Sequence, residues 1–95
     1  MPTIEERLYL GDRAREVLEN EAYNDAFSQI KSEVMQQWAD SPARDTEGRE
    51  KLWLMQSLLS KLQLTLQTTM ETGKLASLEL EHKRTLLQRA KDVMS

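Results

Sequence analysis

"LQTTMETGKLASLEL", residues 66–80, is the stretch on which the fold turns. A glycine after a polar run can end a helix, with a fresh helix beginning at Lys74. The leucines on either side argue otherwise. Steps of seven from Leu52 fall on Leu59, Leu66, Gly73, Leu80, Leu87 and Met94. The companion positions are Met55, Leu62, Thr69, Ala76, Lys83 and Ala90. A turn would have no reason to keep that register on both sides, so the pattern predicts one long helix, possible bend at Gly73 included. At ~1.5 Å per residue, residues 46–92 would span on the order of 70 Å. Such a helix outruns the one before it, and its C-terminal half is expected to find partners on other copies.

Working back toward the N-terminus, "SPARDTEGREKLW" (41–53) crowds Pro, Gly, both signs of charge and a Trp together. Pro42 pushes Ser41 out of the α region and ends the preceding helix. Asp45 or Thr46 can cap the next one, and Glu47 and Glu50 suit the positive end of its dipole. Gly48 inside that first turn costs about 1 kcal/mol relative to alanine, so close approach by another backbone is the expected reason for it. Leu52, Met55, Leu59, Leu62 and Leu66 then follow at alternating spacings of three and four, with Leu54 and Leu58 as a second apolar flank.

The preceding segment, from about Glu21 to Ala39, carries Tyr23, Phe27, Ile30, Val34 and Trp38 on one helical face, widened by Ala26 and Met35. It should pair with the long helix as an antiparallel hairpin closed by residues 40–45. Trp38 would then lie near Trp53 or one turn short of it, Ile30 near Leu59 or its neighbours, and Phe27 near Leu62. Both Trp residues read as core packing, with a partner-binding hot spot as the alternative. Further upstream, Thr3 and Glu6 make a capping-box pattern. Residues 4–18 form either one bent helix or a short turn at Gly11 followed by a helix from Asp12. Asn20 can cap the next helix.

Good helix formers fill the intervals between the few Gly and Pro residues, and no segment shows strand-like alternation. The fold class is all-α: an antiparallel helical hairpin with a long heptad-patterned C-terminal helix and a short N-terminal helix, expected to be oligomeric. The 95 residues suit one domain. Residues 1–19 are its N-terminal helix, 20–72 the hairpin core and 73–95 a helical extension. Charge is uneven: residues 1–40 carry nine acids and four bases, residues 73–95 five bases and three acids. That polarity favours head-to-tail contact between copies or an ordered bundle. Two glutamates follow Ile4 directly and the longest apolar run is Leu52–Met55, so the chain reads as soluble, without a cleaved signal or a membrane span.

Catalytic chemistry has little to work with. There is no cysteine, and His82 is the one histidine. His82 shares helical spacing with Leu75, Leu78 and Leu86 and reads as an interface residue rather than a base. "METGKLAS" has Gly-Lys without the upstream glycine or strand of a phosphate loop. The acid pairs lack metal-site companions. No enzyme, cofactor or metal is indicated. The basic stretch 81–91 holds Lys83, Arg84 and Arg89, which share no narrow stripe and offer at most an auxiliary contact to nucleic acid.

The segment from "LENEAYNDAF" through "QQWADSPARD" and "DTEGREKLWLMQSLL" to "TGKLA", residues 18–76, resembles small helical proteins of tailed bacteriophages and prophages, found among head and DNA-packaging genes. The resemblance supplies no catalytic residues. It implies a virion-associated, assembly or packaging accessory protein, present in the host cytoplasm during infection, with another phage structural or packaging protein as partner. Residues 1–17 and 77–95 lie outside it. The leading expectation is self-association through Leu59, Leu62, Leu66, Leu80 and Leu87. Arg49, Glu50, Lys51 and Trp53 are the candidates for partner contact, and substituting them should disturb binding more than folding. A small-terminase-like ring binding DNA through Lys83, Arg84 and Arg89, or an inhibitor of a host enzyme, are the alternatives.

Overall fold

The computed structural model describes residues 2–94. Helices α1 (Ile4–Leu18), α2 (Glu21–Asp40) and α3 (Thr46–Met94) follow one another, with no strand among the described residues. Each helix starts where a short polar side chain can take up an orphan backbone donor. Thr3 Oγ1 accepts from the Glu6 amide at 3.1 Å, Asn20 Oδ1 from the Tyr23 amide at 2.9 Å, and Asp45 Oδ1 from the Gly48 amide at 3.1 Å. The α1–α2 junction is tied from both sides, because Asn24 Nδ2 also donates to the Leu18 carbonyl at 2.8 Å. Gly11 lies inside α1, so that segment is one helix with no turn there.

α3 runs through Gly73 without a break. The glycine is where another helix crosses. A methyl built on Gly73 would lie 2.8 Å from Gly11 Cα and 3.1 Å from the Arg7 carbonyl oxygen, and one built on Gly11 would lie 2.7 Å from Gly73 Cα. Ala14 and Ala76, three residues on from each glycine, are 4% and 0% exposed. Two helix backbones meet here with almost nothing between them, which only Gly and Ala permit. The Arg7–Glu79 ion pair, at 3.2 Å, closes the same contact one to two turns further along. α1 therefore covers one face of the first turns of the second half of α3 from within the chain.

The backbone of α2 lies further from α3 than that of α1 does, as its larger inward residues require. Phe27 lies beside Leu59, Gln63 and Leu64 along a groove of about 200 Å³. Val34 is the buried residue of α2, at 3% exposure. Phe27 shares the groove with Leu59, and Leu62 and Ile30 are 46% and 45% exposed. Arg7 beside Glu79, Gly11 beside Gly73, Phe27 beside Gln63 and Trp38 beside Arg49 give one picture. α1 and α2 both run antiparallel to α3, end to end, α1 along its later part and α2 along its earlier part. At about 100° per residue the two contact strips on α3 lie about 100° apart, so the chain moves to a neighbouring face of α3 at the Glu19–Asn20 break.

The outcome is a rod. Its Cα extents are 77 × 25 × 16 Å and its radius of gyration is 21.2 Å, against about 12 Å for a globular domain of this length.

Candidate functional site

The most prominent chemical feature of the surface is unsatisfied apolar area. Among the described residues the buried apolar side chains are Ala14, Val34 and Ala76, while seventeen large apolar ones are exposed, twelve of them on α3. The chain exposes 7722 Å², whereas a globular monomer of 11.0 kDa exposes about 5,600 Å². Monomers rarely leave apolar patches of this kind open to water.

The five heptad leucines divide in two. Leu59, Leu66 and Leu80 are half-buried within the chain, and Leu59 lines the α2–α3 groove. Leu62 and Leu87 are 46% and 64% exposed. Part of the heptad seam is thus used internally, and much of the open apolar surface lies off it. Leu54, Leu58, Leu64, Leu75, Leu78 and Leu86 are all about half exposed or more. The heptad rule overlooks Leu64, Leu75 and Leu86, although the sequence carries a signal for them: with Trp53 they recur every eleven residues.

At the α2–α3 corner, Arg49 is committed to the chain itself. Its guanidinium lies 4.0 Å from the centre of the Trp38 ring. Arg49 Nη1 donates to Ser41 Oγ at 2.9 Å and to the Ser41 carbonyl at 3.3 Å, and Ser41 Oγ donates to the Trp38 carbonyl at 2.6 Å. Trp38 thus meets α3 at Arg49, one turn short of Trp53 and within the expected register, while Trp53 itself is 57% exposed. Glu50 and Lys51 face solvent, Lys51 paired loosely with Glu47 at 3.6 Å. Trp38, Ala43, Arg49, Glu50 and Trp53 share one shallow depression. The backbone approach expected at Gly48 is absent: the atoms nearest a Cβ built there belong to the capping carboxylate of Asp45, the movable end of a side chain, and nothing in the structure explains a glycine at this position.

Lys83, Arg84 and Arg89 are exposed on the last turns of α3, with Lys83 3.8 Å from Glu79. His82 is also exposed. Among the described residues no group of three or more His, Asp or Glu side chains is placed to hold a metal ion. None of their helices is long and apolar enough to cross a membrane. Two buried polar atoms in the region of the α2–α3 interface, Tyr23 Oη and Gln63 Oε1, have no partner within the chain. The chain matches no family model, no curated protein and no solved structure.

Proposed function

We propose that this chain is a non-enzymatic, self-associating helical interaction protein, accessory to head assembly or DNA packaging in a tailed phage. The observation that carries the self-association is the exposure of large apolar side chains along almost the full length of α3, from Trp53 to Met94. A 16 Å thick rod has too few layers to bury them internally. Association removes that surface from water at a gain of roughly 25 cal/mol per Å². The phage context rests on the resemblance of residues 18–76, and the partner it implies is a structural or packaging protein of the same particle. Sedimentation equilibrium at micromolar concentration tests the first part, with an expected mass that is a multiple of 11.0 kDa. A monomer under those conditions overturns it. Capture of one phage structural protein from an infected-cell lysate tests the second part, and capture of a host enzyme instead would replace it.

A further inference from the structure

Trp53, Leu64, Leu75 and Leu86 are 57%, 62%, 65% and 49% exposed. Eleven residues make three helical turns with a drift of about 20°, so the four side chains form one nearly straight line some ~50 Å long. Leu78 and Val93, at 62% and 87% exposure, lie beside it. The line faces away from α1: Leu75 is two residues from Gly73, which turns it about 160° from the glycine that α1 covers. Its centre is also about 100° from the strip of α3 that faces α2, with Leu64 at the rim of the α2–α3 groove and Trp53 at the rim of the corner depression.

We infer that this line docks a second copy of the same chain, with the two α3 helices antiparallel. Trp53 then lies beside the partner's Leu86, and Leu64 beside the partner's Leu75. This inference rests on the self-association proposed above and specifies its face and direction.

Three observations carry it. The first is symmetry. Residues 53 and 86, and residues 64 and 75, are each centred between Thr69 and Met70. A single two-fold axis there satisfies both apolar pairs at once, as a closed dimer requires. The second is charge. In the same register exposed Glu50 meets the partner's Arg89. α2, with four acids and one base, lies alongside the partner's residues 73–95, with five bases and three acids. A parallel arrangement would set acidic α2 beside acidic α2 and one basic end beside the other. The third is area. A standard interface needs about 800 Å² from each partner. The chain's surface exceeds that of a globular monomer by about 2,000 Å², enough for such a contact without unfolding any element.

The chain has no cysteine, so single-cysteine variants report without background. Leu64→Cys and Leu75→Cys are prepared separately, checked for unchanged helicity, and oxidised alone and as a mixture. In the antiparallel register residue 64 is offset from its own copy by eleven residues, about 16 Å, beyond the ~7 Å Cα reach of a disulfide. The expected result is a disulfide-linked dimer in the mixture, at least tenfold above either variant alone. Efficient linking of one variant with itself means parallel helices and overturns the inference. A species of multiple mass that links in no combination means another face is used, which overturns the inference and leaves self-association standing. A monomer in every sample overturns both.

Discussion

Gly73 and Gly11 are the residues on which packing depends most sharply. In an exposed helix interior, Gly→Ala stabilises by about 1 kcal/mol because alanine is the better helix former. At the crossing the sign reverses. An added methyl would lie 2.7–2.8 Å from a backbone Cα of the other helix, where ordinary carbon contacts are about 3.5–4.0 Å. The two backbones would have to part by roughly an ångström, and overpacking of this kind costs about 1–3 kcal/mol. Gly73→Ala and Gly11→Ala should therefore each lower stability by ~1–2 kcal/mol, read from urea unfolding followed by circular dichroism. A rise in stability for either variant would show that α1 does not sit against α3 as described. The role of Gly73 was only half legible in the sequence. Its heptad position showed that the helix continues, but the residue that meets it is sixty-two positions away.

Among the elements, the α2–α3 hairpin depends on a short corner in which local and tertiary contacts meet. Pro42 ends α2, Asp45 begins α3, and the Asp45 amide donates to the Pro42 carbonyl at 3.0 Å to shape the turn between them. Both ends were legible from residue type, because capping and the pre-proline restriction act over three or four residues. Arg49 was not. Its stacking on Trp38 and its two bonds to Ser41 tie the first turn of α3 back to the last turn of α2. A cation–π contact at a half-exposed site contributes about 0.5–1 kcal/mol and each net hydrogen bond about 0.5–1.5 kcal/mol. Arg49→Ala should lower stability by about 1–2 kcal/mol, whereas Glu50→Ala and Lys51→Ala should change it by less than about 0.5 kcal/mol. Equal, negligible effects of all three on unfolding would return Arg49 to the surface group with Glu50, Lys51 and Trp53.

For the whole molecule, folding and association should be one process. With Ala14, Val34 and Ala76 as its buried apolar side chains among those described, a single copy has little core of its own, and removing the surface of α3 from water would supply much of what the interior lacks. Mass action then makes the apparent stability depend on protein concentration. The thermal midpoint is expected to rise by several degrees between about 1 and 100 µM chain, measured by circular dichroism at fixed salt. A midpoint independent of concentration over that range would mean that the single rod is the stable unit. Salt gives a second handle. If the acidic α2 lies beside a basic partner end, raising ionic strength should weaken association, because charges on the rim of an interface are screened within about 8–10 Å at physiological salt.

Residue order alone determined where the helices begin and end, leaving open only whether α1 turns at Gly11. Propensity, capping side chains, Pro42 and the 3.5–3.6-residue period all act within one or two turns, so each can be read from neighbours in the chain. The same locality carried the continuity of α3 through Gly73 and the antiparallel hairpin. Only the tertiary structure decided where α1 lies, why two glycines face one another with a buried alanine three residues on from each, which side chain covers Trp38 and which apolar line on α3 remains open. Those outcomes join residues far apart in sequence, such as Arg7 and Glu79. They follow from how closely two backbones can approach, which depends on both surfaces together and is written in neither segment by itself.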